Sequence, residues 1–157
     1  MPIYKAPTRD TRFVINEVIK LESPDGDLMR GLGGQSPTGQ HSGTYLHLNR
    51  GKRNICCDLK QPLAREVTDR LIASADIIIA NMRPQALARL GLDHDTVRAR
   101  HPEKLYCLIT GYGQDGPYSG YPTYDSVVQA ASGITGLTLA RDGAPAYVPM
   151  VMCDHVV

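Results

Sequence analysis

The alternation of apolar and polar stretches along the chain predicts strands separated by helices. Three short stretches have strand character, and they lie at 53–59, 76–82 and 104–113. The second is continuously apolar, which is typical of a strand buried on both faces of a sheet. Between the first two strands, an apolar residue recurs at every fourth position. This period predicts a helix over 60–75 with one buried stripe, formed by Leu63, Val67, Leu71 and Ala75.

Three further helices are predicted at 83–91, 93–102 and 124–133. Pro84 fits the first turn of the first of these helices, and Gly91 follows its last residue. In the third helix, Val127, Val128 and Ala131 are expected to face inward. This order of elements predicts an α/β fold with a parallel sheet flanked by helices. Because parallel crossovers are right-handed, the carboxyl ends of the strands share one edge, where open α/β sheets bind ligands.

The apolar run 147–152 is also predicted to be a buried strand, and it leads directly to Asp154. By the same rule, Asp154 falls at the ligand-binding edge of the sheet. The local sequence leaves two roles open for its carboxylate, a helix N-cap or a catalytic group. Asp125, at the start of helix 124–133, is predicted to be an N-cap.

Composition and charge exclude some classes of function. The formal net charge of +1 gives no support for electrostatic binding to nucleic acid or to an acidic membrane surface. No stretch reaches the roughly 18 apolar residues of a membrane-spanning helix. The cysteines are scattered and form no CxxC pair, which predicts reduced thiols in a cytoplasmic protein. They are Cys56, Cys57, Cys107 and Cys153.

The remaining candidate chemistry points to a phosphate-bearing ligand or to a carboxylate. Glycines in the loop 110–117 would let its backbone approach a ligand, although the spacing does not match a dinucleotide fingerprint. Arg83, Arg89 and Lys60 suit phosphate groups, with an ordinary solvated basic face as the alternative. No metal site is predicted, because Cys153 and His155 have no second pair of ligands at a suitable spacing. No G-x-S-x-G motif indicates a serine nucleophile.

Four segments together resemble the family III CoA-transferases, a family that also includes the α-methylacyl-CoA racemases. They are LNRGKRNICCDLK, ADIIIANMRPQALARLGL, YCLITGYGQDGPYSGYPTYDSVVQAASG and the terminal VMCD. The resemblance extends over about residues 18 to 157. It implies a Rossmann-like large domain and, in complete members, a second small domain and a homodimer. It also implies acyl-CoA and a carboxylic acid as substrates, with no permanently bound cofactor.

The resemblance assigns roles to individual residues. Asp154 matches the nucleophilic aspartate of the family. The matching CoA contacts are Cys57, Asp58, Leu59, Lys60, Asn81, Met82, Arg83, Arg89, Leu108, Ile109, Thr110, Gly111 and Tyr112. Formyl-CoA transferase has a lysine where this chain has Thr110, so the specificity of that enzyme is not implied.

The mechanism that the resemblance implies is covalent transfer through an aspartyl anhydride and an aspartyl-CoA thioester. The alternative within the same family is a racemase, in which a histidine precedes the match to Asp125. Tyr124 occupies that position here, and a neutral phenol with a pKa near 10 is a poor base at neutral pH. The sequence therefore favours the transferase.

The two ends of the chain depart from the family pattern. Residues 1–18 resemble the N-terminal extension of certain acyl-CoA dehydrogenases, which indicates a fusion near Val18. Residues 19–157 are then predicted to be a partial large domain, without the first strand–helix unit and the C-terminal part of the family fold. The alternative function is accordingly a non-catalytic fragment that binds CoA weakly, and we expect these 157 residues alone to have little or no turnover.

Overall fold

The computed structural model describes residues 17–153 in full and residues 2–5 by their backbone. The chain divides into two compact units, Met1–Ile109 and Thr110–Val157. Each unit is treated by itself below.

The first unit contains a five-stranded sheet. Its strands are β1 (Pro2–Lys5), β2 (Glu17–Glu22), β3 (Arg53–Cys56), β4 (Ile77–Ala80) and β5 (Leu105–Leu108). They are arranged in the order β3-β2-β1-β4-β5. Strand β2 is parallel to β3, β4 is parallel to β5, and β1 is antiparallel to both of its neighbours. Since β1 opposes both β2 and β4, the other four strands all run in one direction and end at the same edge.

The order of the strands is that of a doubly wound α/β sheet, with its reversal between β1 and β4. The predicted strands at 53–59, 76–82 and 104–113 are all present, each shortened to four residues. The unexpected feature is the direction of the central strand. Ile3 pairs with Ile78 and Tyr4 with Ile77 in antiparallel register, so the carboxyl end of β1 lies at the edge opposite to that of its four neighbours.

The helices of this unit are α1 (Gly43–Leu48), α2 (Pro62–Ser74), α3 (Pro84–Leu90) and α4 (His94–Arg100). Local hydrogen bonds explain where they begin and end. Ser42 caps α1 by accepting a 2.9 Å hydrogen bond from the backbone N–H of Tyr45. Asp93 caps α4 by accepting a 3.0 Å bond from the N–H of Thr96. Gly91 ends α3 with a left-handed φ of 66°, a conformation that costs glycine little.

The core of the first unit lies where α2, α3 and α4 pack against β4. Its buried members are Ile72, Ile78, Ala80, Leu87, Leu92 and Val97. The predicted buried stripe of α2 is wrong by one position for Leu63, Val67 and Leu71, and right for Ala75. The buried residues within α2 are Ala64, Thr68 and Ile72, whereas Leu63 is 70% exposed. Both sets repeat every four residues along the helix, so the helical period alone cannot choose between them. Thr68 tolerates burial because its hydroxyl donates to the carbonyl of Ala64 at 2.7 Å.

The second unit contains a loop over 110–124, helices α5 (Asp125–Ala131) and α6 (Ile134–Asp142), and an irregular segment over 143–153. The predicted strand at 147–152 is wrong, because no strand is present there and Tyr147 and Met150 are more than half exposed. A strand requires a neighbour for its backbone groups. In this segment two of those groups, the N–H of Val148 and the carbonyl of Met150, bond to the side chain of Gln129 instead.

Helix α5 also differs from its predicted orientation. Its N-cap is Tyr124, and Asp125 is its first helical residue, so the predicted N-cap role of Asp125 is wrong. The expectation that Val127, Val128 and Ala131 face inward is wrong for two of the three, since Val127 and Ala131 are exposed. The buried residue of this helix is Gln129, which is 1% exposed.

Candidate functional site

The carboxyl edge of the sheet brings three of the predicted CoA-contact segments to one side of the first unit. Residues 57–60 directly follow β3, residues 81–83 follow β4, and residues 108–109 form the end of β5 and its continuation. Neighbouring strands are about 4.8 Å apart, so the ends of β3 and β5, four spacings apart, are separated by roughly 19 Å. Residues 81–83 and 108–109 follow neighbouring strands, whereas residues 57–60 are separated from them by the positions of β2 and β1. All three segments lie at the edge where open α/β sheets bind ligands.

In the segment after β3, the predicted contacts divide into two structural roles. Asp58 forms the turn into α2, because its carboxylate accepts hydrogen bonds from the N–H of Lys60 at 3.0 Å and from the amide of Gln61 at 3.2 Å. These two bonds lower the pKa of Asp58. Leu59 packs against the core, whereas the side chain of Lys60 is exposed. Lys60 is thus the residue of this segment that can reach a ligand, and Asp58 orients it.

The segment after β4 is exposed at Asn81, Met82 and Arg83. Arg83 is the N-cap residue of α3 and precedes Pro84, which holds it in an extended conformation with ψ of 136°. Arg89 lies in the last turn of the same helix and is also exposed. At 1.5 Å per residue, the Cα atoms of the two arginines are about 9 Å apart along the helix axis.

Neither Arg83 nor Arg89 has an ion-pair partner among residues 17–153. Arg83 at the carboxyl edge and Arg89 at the far end of α3 therefore have guanidinium groups of a kind suited to phosphate oxygens, which accept paired hydrogen bonds from such groups.

The last predicted CoA-contact segment, 108–112, is divided between the two units. In the first unit, Leu108 packs against the core, and the N–H of Ile109 continues the β4–β5 pairing by donating to Ala80 at 2.8 Å. In the second unit, the hydroxyl of Thr110 donates to the carbonyl of Tyr112 at 2.9 Å. Gly111 is required by packing, because a Cβ atom at this position would lie 2.1 Å from the side chain of Thr123.

Sequence reasoning missed a buried charged network beside the same edge. Glu22, the last residue of β2, has a side chain that is only 5% exposed. Its carboxylate accepts hydrogen bonds from Arg30 at 2.9 Å and from the hydroxyl of Tyr45 at 2.9 Å. We call this set of residues the Glu22 network. It comprises Lys20, Glu22, Asp27, Arg30, Tyr45 and Asn54.

The Glu22 network strongly favours the ionised carboxylate. Burial by itself raises the pKa of Glu22, but hydrogen bonds from Arg30, Lys20, Tyr45 and Asn54 outweigh burial and lower that pKa to about 2. The cationic groups of Lys20 and Arg30 also lie over the Tyr45 ring, 4.8 Å and 4.3 Å from its centroid. The network thereby ties the loop after β2 to α1 and β3. The signal in the sequence was a pair of charged residues inside the apolar run VIKLE.

A second polar cluster lies in the second unit and includes the backbone of Cys153, which comes directly before the predicted nucleophile in the chain. Gln129 donates to Asp125 at 2.6 Å and to the carbonyl of Met150 at 3.3 Å, and it accepts from the N–H of Val148 at 2.8 Å. Asp125 accepts a 2.6 Å bond from the N–H of Cys153. We call this pair of side chains the Asp125–Gln129 clamp. Asp154 itself lies outside the described residues, and its role stays a prediction.

Among the residues that the structure describes, no group of three or more His, Cys, Asp or Glu side chains is placed to hold a metal ion. All four cysteines are free thiols. In the same part of the chain, no helix has both the length and the apolar character that crossing a membrane requires.

The strand order and the position of the predicted contact segments are those of the doubly wound α/β proteins. Proteins of this class bind ligands at the carboxyl ends of their strands. Comparison with known proteins then gives the family. The model of CoA-transferase family III matches residues 16–157, and the chain belongs to this family. The resemblance noted in the sequence is thereby confirmed, as is the α/β fold with parallel strands flanked by helices.

The chain is similar to several relatives over most of its own length. It is 40% identical over 144 residues to succinate–glutarate CoA-transferase of Agrobacterium fabrum, and this alignment covers 88% of the chain and 36% of the relative. Its identity to human succinyl-CoA:glutarate CoA-transferase is 37% over 139 residues, and this alignment covers 88% of the chain and 32% of the relative. A crystal structure of a CAIB/BAIF family protein from Brucella suis aligns with a TM-score of 0.78 at 39% identity, covering 88% of this chain and 37% of that one. The chain thus spans about a third of the length of the relatives it matches.

Proposed function

We propose that this chain is the CoA-binding part of an enzyme that transfers CoA from an acyl-CoA thioester to a carboxylic acid. The observation that carries the proposal is the row of predicted contact segments along one sheet edge, in a chain that belongs to CoA-transferase family III. The Agrobacterium and human relatives are named for succinate or succinyl-CoA and glutarate. Short dicarboxylic acids are therefore the first substrates to test.

In this proposal, the phosphate groups of CoA are bound by Arg83, Arg89 and Lys60. The support is that all three side chains are exposed at the carboxyl edge or on the helix that leaves it. Phosphate recognition through guanidinium groups is charge-assisted and stronger than a neutral hydrogen bond. Asn81 and Met82, exposed beside them, would contact the uncharged parts of the ligand.

The proposed chemistry centres on Asp154. Its carboxylate attacks the thioester carbonyl of the acyl-CoA, which gives a mixed anhydride and releases the CoA thiolate. The thiolate attacks the aspartyl carbonyl of that anhydride, which forms an aspartyl-CoA thioester and frees the donor acid. The acceptor carboxylate then attacks this thioester, and the released thiolate attacks the acceptor carbonyl of the second anhydride. The products are the new acyl-CoA and the regenerated carboxylate, so a difficult exchange is divided into easier steps.

Covalent trapping tests the proposed chemistry. The 157-residue chain and the longest product of its gene are incubated with acyl-CoA thioesters, including succinyl-CoA, and then treated with hydroxylamine before peptide mapping by mass spectrometry. We expect a hydroxamate on Asp154 and none in the Asp154→Asn variant. A protein that binds CoA but is never modified at Asp154 would refute the covalent mechanism.

The phosphate assignment needs its own experiment. Arg83→Gln and Arg89→Gln should each weaken CoA binding by about tenfold, with a much smaller effect on a pantetheine thioester, which lacks the nucleotide phosphates. Arg70→Gln is the matched control, since Arg70 is an exposed arginine on α2 whose partner is Glu66. Equal losses for both ligands, or an equal loss in the control, would contradict the assignment.

A second candidate function is CoA binding without turnover. The observation that favours it is that the alignment covers only 36% of the length of the Agrobacterium relative. The trapping experiment separates the two candidates, because the 157-residue chain would then bind CoA without forming a hydroxamate. A homodimer and a cytoplasmic location belong to the same proposal. They rest on the family resemblance and on the scattered free cysteines.

A further inference from the structure

We propose that Asp125 and Gln129 are positioning residues that set the direction in which the chain enters Asp154. The inference rests on the proposed function, because Asp154 is the proposed nucleophile. It goes beyond that function by assigning a task to one face of α5.

The clamp binds the backbone of residues 148–153, which come directly before Asp154 in the chain. Its four hydrogen bonds engage the N–H of Val148, the carbonyl of Met150 and the N–H of Cys153, and they join Gln129 to Asp125. Asp125 and Gln129 are four residues apart, so they lie on the same face of α5. One helix face therefore holds three backbone groups within a segment of six residues.

Regular secondary structure does not fix the path of this segment. Residues 143–153 have no strand and only an isolated 3-10 turn residue, so their backbone groups are not satisfied by a regular ladder. Gln129 is buried to 1% exposure, and both ends of its amide are used. A buried amide bonded at both ends is specific, because leaving a partner unsatisfied is costly. Side chains of α5 thus help to hold residues 148–153 in one arrangement.

Of the four bonds, the one from the Cys153 N–H to Asp125 is the one expected to matter for catalysis. The Cys153 N–H belongs to the peptide plane before Cys153, so the bond to Asp125 fixes that plane one residue ahead of Asp154. A displacement of about 1 Å at a reacting group can lower a rate by about 100-fold. Loss of the clamp should therefore reduce reaction at Asp154 far more than it reduces CoA binding.

The experiment has two readouts and a rescue variant. Amide hydrogen exchange at Val148 and Cys153 is measured by NMR on the 157-residue chain, and the rate of hydroxamate formation and the Kd for CoA are measured on the longest product of the gene. For Gln129→Leu we expect faster exchange at both amides, about 100-fold slower labelling of Asp154 and a Kd within twofold of the wild type. Asp125→Asn and Gln129→Glu are milder variants, used in case the leucine variant does not fold.

The double variant D125N/Q129E should restore much of the lost rate. The introduced amide at 125 can donate to the introduced carboxylate at 129, and acceptors for the N–H groups of Val148 and Cys153 are retained. The bond to Met150 is the one that is not rebuilt. A purely structural effect of either single change gives no reason for such a rescue. Thr138→Val is the matched control. It removes the two 2.8 Å hydrogen bonds between the Thr138 hydroxyl and the backbone of Ala146. Ala146 belongs to the same irregular segment but is farther along the chain from Asp154 than Val148 is.

Each outcome decides one proposal. Unchanged exchange at Val148 and Cys153 in the Gln129→Leu variant would overturn the clamp, whatever the activity. Faster exchange with an unchanged labelling rate would overturn the positioning role. If the wild type is never labelled by any acyl-CoA, the proposed function fails, and the exchange data still decide whether the clamp orders the segment.

Discussion

The Glu22 network and the Asp125–Gln129 clamp solve the same structural problem with different chemistry. Each holds an irregular segment in place through buried polar side chains, the loop after β2 in one unit and residues 148–153 in the other. The Glu22 network relies on a buried carboxylate bonded to two cations. The clamp is centred on a neutral amide, with a single carboxylate beside it.

The difference teaches how each segment responds to pH and to mutation. A buried charge is tolerated only while its partners remain, so a change at Glu22 leaves Arg30 without its carboxylate and Lys20 with Asp27 alone. A buried amide cannot titrate, so the two bonds between Gln129 and the backbone of Val148 and Met150 do not depend on ionisation of Gln129. The four predictions that follow test this contrast, from the largest expected effect to the smallest.

Neutralising Glu22 should cause the largest loss. Glu22→Gln removes the anion shared by Lys20 and Arg30, and we expect unfolding to become easier by about 3–5 kcal/mol. Chemical denaturation followed by circular dichroism measures the change. The control is Glu66→Gln, which breaks an exposed pair with Arg70 and should cost less than about 0.5 kcal/mol. Similar losses in the two variants would show that the network adds nothing beyond a surface ion pair.

Acid should weaken the same region. The pKa of Glu22 is lowered from 4.5 to about 2 in the folded state, so its contribution is complete above pH 4.5 and is lost as pH falls toward 2. The loss is on the order of 3 kcal/mol. Denaturation at pH 6, 4 and 2.5 checks it, and the Glu22→Gln variant should show a flatter pH dependence. An equal slope in the variant would assign the acid sensitivity to other carboxylates.

A carboxyl group placed in the clamp should reverse the sign of the pH dependence. In Gln129→Glu the introduced group is buried beside Asp125, and both burial and the neighbouring carboxylate raise its pKa. Its stabilising contribution is then complete below about pH 4 and is lost as pH rises through the higher folded pKa. We expect a loss of about 2 kcal/mol at pH 7 relative to pH 4, measured by denaturation. No pH dependence beyond that of the wild type would mean that solvent reaches the site.

The N-cap of α4 provides a reference value for the loss of stability in both regions. Asp93→Ala removes the 3.0 Å bond from Thr96 that begins α4, and we expect a loss of about 1 kcal/mol. Because the folded-state pKa of Asp93 is also lowered by the Thr96 bonds, a smaller part of the acid sensitivity should disappear with it. Thermal unfolding at pH 7 and pH 3 measures both effects. A loss as large as that of Glu22→Gln would remove the contrast between a local cap and a buried network.

Elements with a strong local signal could be predicted from the sequence. Helix 60–75 and the strands around Ile78 and Tyr106 were found because the spacing of apolar residues depends on the element itself. The segments after those strands were also placed correctly at the carboxyl edge of the sheet, since the direction of parallel strands follows from right-handed crossovers. The failures have a common form. Whether Leu63 or Ala64 faces inward, and whether 147–152 becomes a strand, depends on what lies beside them.

By itself, the sequence determined the family and the order of strands and helices from residue 53 to residue 131, and it predicted the segments that contact CoA, because short motifs and periodic patterns depend on residues close together in the chain. Only the tertiary structure decided the reversed central strand, the Glu22 network and the clamp on residues 148–153. Asn54 and Glu22 are 32 positions apart, and Cys153 and Asp125 are 28 apart. Polar groups so distant in the chain are recognisable as partners only after folding has brought them within hydrogen-bonding distance.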